Sequence, residues 1–409
     1  MIHRPTPLRT ATALLCATLA SGASAQDVAM GGGDASPWSL GATLSLTHLD
    51  NVRRAAAGAE QADLRTNASV RGTFDQSYGI QRYRANAELG TGRYQDNKDF
   101  DSDNYRLGAQ WDWSSGGLLQ GSLGVDAQRQ QRAYGVDSGT ATSLRNSQED
   151  RRVFFNGQYG GFGIWTLYGG LSALQRRNSE AAYQYTDSDQ GTVNGGVRYA
   201  AHPDLTLSAG LNYSRGRLPD FSPTLGAERF TQKGVELSAA WQASGASSLQ
   251  LELGYVDGHN LLQPDRGLWN GSLGWIWVPS DRLQLNLTLR QGNSASQQGL
   301  TQTLTLTTQS VNTSASLGGS YLLGGRTSLN FSFQEGQRKY DQAIVAGSGV
   351  SGKDRSTVAT LGLAYRLTEA ASLSCSVTYD QLRADASVSR VATSTQGTAV
   401  TCSGTITLR

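Results

Sequence analysis

Segments in which apolar and polar side chains strictly alternate recur along the whole chain. In WSLGATLSLT (residues 38–47) every second residue is apolar, and LQLNLTLR (residues 283–290) repeats the pattern with four leucines. A period of two places all the apolar side chains on one face of a β-strand. Segments of about ten residues have the length that a tilted strand needs to cross a lipid bilayer. The pattern therefore predicts membrane-spanning strands with one apolar and one polar face.

We count eighteen such segments, and the connections between them alternate in length. Short turns at one end and longer polar loops at the other are typical of outer-membrane barrels. The sequence therefore predicts an all-β fold over residues 38–409, a transmembrane antiparallel up-and-down β-barrel of about eighteen strands, with sixteen as the alternative. The predicted strands are 38–49, 63–74, 82–94, 104–113, 118–130, 148–159, 164–176, 188–199, 205–216, 230–241, 249–259, 268–278, 283–293, 306–322, 327–340, 355–366, 372–383 and 396–408.

The N-terminal residues have the features of a secretory signal peptide. Arg4 and Arg9 precede a short apolar run, and the small residues ASA at 23–25 form a cleavage site. The apolar run is too short to span a membrane as a helix. We therefore expect a cleaved signal peptide at 1–25, a flexible segment at 26–37, and localisation in the outer membrane of a Gram-negative cell.

Composition excludes two other classes of protein. The chain has 35 basic and 33 acidic residues, a formal net charge of +2, and it lacks the polybasic segment that a nucleic-acid partner requires. Mean hydropathy is −0.39. After the signal peptide no segment approaches eighteen consecutive apolar residues, which excludes a helical membrane protein.

The parity of each strand predicts which charged residues face the interior. An arginine-rich wall beside a mixed wall would attract an anionic solute or polymer. Alternatively, these charges only solvate the pore and pair with neighbours across the strands. Small polar residues dominate the rest of this face, and Phe154 and Tyr168 are among its few aromatics, so we expect an aqueous channel. The predicted lumen-lining residues are Arg65, Arg71, Arg82, Arg84, Arg106, Glu88, Asp112, Asp126, Arg152, Arg198, Glu236, Glu252, Arg290 and Arg338.

Tryptophans gather at the strand ends that we expect to face the periplasm, on the apolar parity. Such a ring of amphipathic side chains is typical of the headgroup layer of a membrane. The predicted aromatic girdle is Trp38, Trp111, Trp113, Trp165, Trp241, Trp275 and Trp277.

Cys375 and Cys402 are the two cysteines outside the signal peptide, and both have outward parity on the last two predicted strands. They form a cross-strand disulfide if the register aligns them, and otherwise they are two small apolar residues facing lipid.

Residues for catalysis or metal binding are sparse. His48 with Asp50, or Asp257 with His259, offers an acid and a base near the outer strand ends, but no nucleophile is tied to either pair. We therefore predict no enzyme activity, no catalytic residue, no metal site and no cofactor.

Three stretches carry a resemblance to a known group of proteins. They are LTHLDNVRR at 46–54, GAQWDWSSGGLLQGSLGVDAQRQ at 108–130 and GGVRYAAHPDLTLSAGLNYSRGRLPDF at 195–221. Together they resemble the β-barrel porin type 2 families, which include the outer-membrane barrels encoded in exopolysaccharide biosynthesis operons.

The resemblance implies a channel that assists export of a secreted exopolysaccharide. Its partners would be outer-membrane lipid, the polysaccharide and the periplasmic polysaccharide-export machinery. Two alternatives stay open: a general or solute-specific diffusion porin, and a structural or adhesive barrel that displays surface loops. A loop folded into a charged pore would favour the porin, whereas an open lumen lined with arginine or aromatic residues would favour passage of a polymer.

Overall fold

The computed structural model describes residues 36–131, 146–160, 163–222, 226–260, 263–301, 304–344, 350–384 and 394–409. The predicted signal peptide and most of the predicted flexible segment lie outside these residues. Within them no helix is both long enough and apolar enough to cross a membrane. Two short 3₁₀ helices, Lys98–Phe100 and Ala181–Thr186, accompany the strands.

Eighteen strands make up nearly all of the described chain. They are β1 (Trp38–Leu49), β2 (Asp63–Tyr78), β3 (Gln81–Tyr94), β4 (Ser102–Ser115), β5 (Leu119–Gln131), β6 (Ser147–Tyr159), β7 (Trp165–Asn178), β8 (Ser188–His202), β9 (Leu205–Ser222), β10 (Gly226–Ser244), β11 (Ser247–Asn260), β12 (Gln263–Ser280), β13 (Leu283–Thr301), β14 (Leu304–Gly324), β15 (Thr327–Ile344), β16 (Val350–Arg366), β17 (Ala371–Arg383) and β18 (Thr395–Leu408).

The sheet closes on itself. Each strand pairs antiparallel with the next strand in the sequence, and β1 pairs with β18 from Leu40 opposite Leu408 to Leu49 opposite Ala399. Closure leaves no strand edge with unpaired backbone N–H and C=O groups, which is what allows a sheet to stand in hydrocarbon. The predicted up-and-down barrel is confirmed, and it has eighteen strands rather than sixteen.

The apolar side chains lie on the outer face of the barrel. In β1, Trp38, Leu40 and Leu44 are 53–63% exposed, while the polar residues between them are half-buried. Among the described residues, Val52, Phe100 and Leu382 are the only buried hydrophobic side chains. A water-soluble protein of this size buries its leucines, so this inversion indicates that hydrocarbon surrounds the barrel.

Several predicted long connections are strand in the residues that the structure describes. The stretches 217–229, 260–267, 294–305 and 341–354 were expected to be loops, but β9 to β16 continue into them as paired hairpins. The backbone hydrogen bonds between paired strands continue past the apolar part of the barrel into water. The residues there are mostly polar, among them Thr, Gln and Ser, and they accept strand geometry. The connections 50–62, 95–101, 132–146, 179–187 and 384–394 are the longer ones, and the turns at the opposite end have two to five residues.

Cys375 and Cys402 lie directly opposite each other on β17 and β18 and form a disulfide. Their Cα atoms are 4.1 Å apart, and both side chains are on the outer face. The bridge joins the strand that closes the barrel to its neighbour.

Replacing Leu44 by arginine tests the assignment of the two faces. Leu44 is on the outer face in the middle of β1, and an arginine at the bilayer midplane costs about 2–4 kcal/mol of folding free energy. We expect Leu44→Arg to lose that amount in denaturant titrations of barrels folded into vesicles. The matched control is Ser45→Arg on the polar face, which should lose much less. Equal losses in the two variants would contradict the assignment.

The disulfide predicts a thiol count. The denatured mature chain should show no free thiol before reduction and two after it, measured with a colorimetric thiol reagent. A Cys375→Ser variant should show one thiol under both conditions. Two thiols in the unreduced protein would contradict the bridge.

Candidate functional site

The register of the strands places all fourteen predicted lumen residues on one face, the face of Ser39 and opposite the exposed apolar side chains. Around the wall, for example, Gly41 faces Arg71, Arg71 faces Glu88 and Glu88 faces Arg106. Because the sheet is closed and parity is preserved along the central part of every pairing, with register shifts only near some strand ends, this polar face is continuous around the interior.

Some of the charges on this face are paired across the strands. The Arg84 guanidinium lies 2.6 Å from the Asp112 carboxylate, Arg338 lies 2.5 Å from Asp354, and Arg82 binds Asp75. These pairs match the interpretation in which inner charges neutralise one another. Other inner charges lack an ion pair among the described residues; they are Arg65, Arg71, Arg106, Arg152, Arg198 and Arg290, and the carboxylates Glu88, Asp126, Glu236 and Glu252.

Two aromatic rings lie flat against the inner wall. Tyr168 covers Gly196 and Gly210, where a Cβ atom would come within 2.5 and 2.6 Å of its hydroxyl oxygen, and Phe154 covers Gly124 in the same way. Glycine is needed here because any side chain would push the rings away from the wall. The Arg152 guanidinium lies 5.1 Å from the Phe154 ring, and Arg198 lies 5.7 Å from the Tyr168 ring. Each of these two inner rings therefore has a guanidinium group over its face.

The connection 50–62 is anchored on β18. Asp50 accepts a hydrogen bond from the Thr398 amide (2.7 Å), and the Asn51 amide group donates to the carbonyls of Gln396 (2.9 Å) and Ala55 (2.8 Å). The Asn51 side chain also accepts from the Ala55 amide at 2.8 Å, so one buried residue closes the turn and holds it to the wall. These contacts direct the chain that follows β1 over the rim of the barrel.

Arg54 then reaches the inner face. Its guanidinium binds the Asp380 carboxylate on β17, and it lies beside Gly397, where a Cβ atom would be 2.9 Å from Arg54 Nη1. The Arg54 backbone has φ +52°, a left-handed conformation that non-glycine residues seldom adopt. The connection therefore bends inwards and covers part of the mouth on the β17–β18 side.

Arg53 links this connection to the next one. Its Nε donates to Asn97 Oδ1 (2.9 Å), its Nη2 lies 3.1 Å from Asp99, and its guanidinium is 4.9 Å from the ring of the buried Phe100. Asp63 fixes the same segment by accepting from the backbone and side-chain nitrogens of Asn97, each at 2.9 Å. The connections 50–62 and 95–101 thus form one ordered unit at the mouth, which we call the mouth clamp.

A second segment crosses the mouth from another side. The 3₁₀ helix Ala181–Thr186 lies against β7, β9 and β13, and β13 is six strands away from β7 along the wall. Asp187 holds its end by accepting from the backbone and side-chain nitrogens of Asn178, each at 2.8 Å. Burial raises the pKa of the Asp187 carboxyl in spite of these donors.

Sequence parity predicted the wall but not the mouth clamp. The motif DNVRR marks the point at which alternation stops, and its Asp, Asn and Arg side chains could have indicated a folded turn rather than a solvated loop. The partners Asp380, Gln396 and Thr398 are more than 300 residues away in the sequence, so only the closure of β1 on β18 reveals them.

The predicted girdle residues lie near the short-turn ends of their strands, on the outer face. Several form ring pairs with neighbours: Trp38 with Phe74, Trp165 with Tyr199, and Trp275 with Trp277. At the other end of the strands, Tyr255 and Trp269 form a pair at 5.2 Å. A groove of about 890 Å³ lies on the same outer face, between Leu44, Val70 and Leu373, and is therefore separate from the lumen.

The described residues contain no group of three or more His, Cys, Asp or Glu side chains placed to hold a metal ion. His48 is exposed on the outer face of β1, and only Leu49 separates it from the mouth clamp. The structure shows no hydrogen bond between His48 and Asp50. The side chain of His259 lies outside the described residues.

Comparison with solved structures returns iron transporters and siderophore receptors at low similarity. The FrpB iron transporter of Neisseria meningitidis is 14% identical, with a TM-score of 0.47 over 86% of this chain and 63% of that chain. A mutant ferric enterobactin receptor, PfeA, and the siderophore receptor PirA, both of Pseudomonas aeruginosa, are 10% and 11% identical, with TM-scores of 0.46 and 0.45. They match 90% and 91% of this chain and 80% of their own chains. This chain spans less than two thirds of the F3-3 variant of FrpB.

No protein-family model matches the chain, and no curated protein does. The fold assignment therefore depends on the strand pairing described above, and the resemblance to the exopolysaccharide-operon barrels stays a prediction.

Removing the Arg54–Asp380 pair should loosen the mouth clamp. We expect Asp380→Asn to raise the rate of tryptic cleavage after Arg53 and Arg54 and to raise the conductance of the barrel in planar bilayers, because the connection loses its anchor on the inner wall. The control is Asp112→Asn, which removes an inner carboxylate from Arg84 away from the clamp. Unchanged cleavage in Asp380→Asn would contradict the anchoring role.

Proposed function

We propose that this chain is an outer-membrane channel that assists export of a secreted exopolysaccharide. The observation that supports a channel is that the barrel is the reverse of a water-soluble protein. It is closed, its exterior is apolar, and its interior is charged and rich in glycine and hydroxyl groups. Eighteen strands enclose a lumen wide enough for water. Exported through a cleaved signal peptide, such a barrel inserts into the outer membrane.

The inner wall supports a polysaccharide as the substrate. On β2 to β8 the arginines of the inner face outnumber its carboxylates, and this local excess of positive charge would attract an anionic polymer, whereas Glu236 and Glu252 make the wall acidic on β10 and β11. Arg152 and Arg198 lie over the rings of Phe154 and Tyr168, and if they turn aside the rings would offer flat surfaces for the apolar faces of sugars while the guanidinium groups donate hydrogen bonds. Periplasmic export proteins would deliver the polymer to the short-turn end, and the lipid bilayer is the other partner.

A diffusion porin is the second candidate, and the mouth favours it. The mouth clamp and the 3₁₀ helix Ala181–Thr186 both fold over the lumen, and a constricted opening selects small solutes over a polymer. The same segments suit an export channel if they move aside when a polymer arrives.

Deletion of the gene separates the two candidates. For an export channel, we expect secreted polysaccharide to fall strongly in the deletion strain and to return with the wild-type chain, while uptake of small sugars stays unchanged. For a porin, we expect normal secretion and slower solute uptake. Normal secretion in the deletion strain would contradict the export role.

Variants of the wall test the proposed substrate contacts. We expect Phe154→Ala with Tyr168→Ala to reduce secretion while the purified barrel still conducts ions, because the polymer loses its stacking surface and the pore stays open. The control is Trp269→Ala, which removes an exposed aromatic ring from the outer face. Equal secretion from both variants would exclude the two rings as substrate contacts.

A further inference from the structure

The outer face of the barrel becomes strongly basic just beyond the apolar band, at the end with the longer connections. Among the side chains that the structure describes, the register places on it the acidic residues Asp103, Glu149, Asp189, Asp257 and Glu335 and a larger set of basic ones. We call the basic set the rim belt. It comprises Arg93, Arg129, Arg151, Arg177, Arg215, Arg217, Arg229 and Lys233 on β3 to β10, and Lys339, Lys353, Arg355 and Arg383 on β15 to β17.

The acidic residues are already engaged. Arg93 lies 2.8 Å from Asp103, Arg129 and Arg151 lie 2.8 and 2.5 Å from Glu149, and Arg177 lies 2.6 Å from Asp189. Glu335 binds Arg355, and Asp257 faces Lys233 across the ladder. The rest of the belt has no ion pair among the described residues; it comprises Arg215, Arg217, Arg229, Lys339, Lys353 and Arg383.

Five of these six cations face one another or another belt cation directly, while Arg215 faces Thr231 and Gly191. Arg217 is opposite Arg229, Lys339 is opposite Lys353, and Arg355 is opposite Arg383. Directly opposed side chains have Cβ atoms about 4.5–5.5 Å apart, and like charges in that position destabilise a sheet. Asp189 faces Arg217 from β8 but pairs with Arg177, so one carboxylate stands against the three cations Arg177, Arg217 and Arg229. Glu335 already binds Arg355 of the third pair, but the cations of the first two pairs have no ion pair among the described residues, and they call for anions between them.

The distance of the rim belt from the short-turn end of the barrel shows where those anions lie. Along β16, Arg355 is ten residues from Tyr365, which lies near the short-turn end on the outer face. At about 3.3 Å per residue and a tilt near 40°, the two residues are separated by about 25 Å across the membrane, the thickness of the apolar band of such barrels. The rim belt therefore lies in the headgroup layer of the leaflet at the long-connection end.

We propose that the rim belt binds the phosphate groups of lipids in that leaflet. Guanidinium groups form bidentate hydrogen bonds with phosphate, and two opposed cations hold one phosphate between them. The ligand class is a lipid whose headgroup carries phosphate, which in the outer leaflet is a phosphorylated glycolipid. This inference rests on the proposed outer-membrane placement, but it needs neither a conducting lumen nor a polysaccharide substrate.

The test compares the stability of the purified full-length barrel in two kinds of vesicle. One is phosphatidylcholine alone, and the other contains added bisphosphorylated lipid A. We expect wild type to unfold at a higher temperature in the second. The variant Arg217→Gln/Arg229→Gln should lose most of that gain, yet match or exceed wild type in phosphatidylcholine, where removing the like-charge pair relieves repulsion.

The matched control, Arg71→Gln/Arg290→Gln, removes two cations from the inner face and should keep the full gain from lipid A. Equal loss in the two variants would overturn the proposal, because it would reflect net charge alone. An equal gain from inorganic phosphate added to phosphatidylcholine vesicles would also overturn it, since a free anion would then suffice. If Arg217→Gln/Arg229→Gln does not fold, Arg383→Gln gives the same comparison at the second arc of the belt.

Conductance in planar bilayers separates this proposal from the proposed function. A barrel that conducts but gains nothing from lipid A overturns the lipid site alone. A barrel that gains stability from lipid A but neither conducts nor supports secretion overturns the channel alone.

Discussion

The hydrogen-bonded closure of β1 on β18 is the constraint on which the rest of the molecule depends. In hydrocarbon an unpaired backbone group has no water to bond, so a sheet survives there only when its first and last strands meet. Here they meet over ten residue pairs without a register shift. Closure also fixes which side chains face inwards. The alternation of inward and outward residues must agree across each of the eighteen strand pairings, so that the last strand still agrees with the first. The charged inner wall, the outer apolar band and the rim belt are therefore one consequence of a single register.

The mouth clamp depends on the same closure. Asp50 and Asn51 hold the backbone of β18, and Arg54 extends to Asp380 one strand further on, so the clamp exists only where the two ends of the sequence come together. The segment that narrows the mouth is thus attached at the join between the first and last strands. The few polar contacts that hold this segment are thus made to the two strands on one side of that join.

The sequence predicted the parts of this fold that depend on local alternation. Strand number, the two faces and the inward parity of residues such as Arg71 and Arg290 follow from a period of two, which each segment displays without reference to its neighbours. The extension of β13 and β14 beyond the apolar band could not be predicted, because alternation of apolar and polar residues ends where lipid ends. The contacts of Arg54 and the pairing of Cys375 with Cys402 depend on register between strands, which a single strand's pattern does not contain.

The disulfide between β17 and β18 has a consequence for how this cylinder is assembled and how it comes apart. The hydrogen bonds that complete the cylinder are those between the first and last strands, and the sulfur bridge lies one interface away from them. If the barrel opens between β1 and β18, the disulfide still joins β17 to β18. The last strand therefore cannot separate from the sheet alone. An oxidised chain therefore presents a two-stranded end, already matched in register, to the N-terminal strand that it must meet.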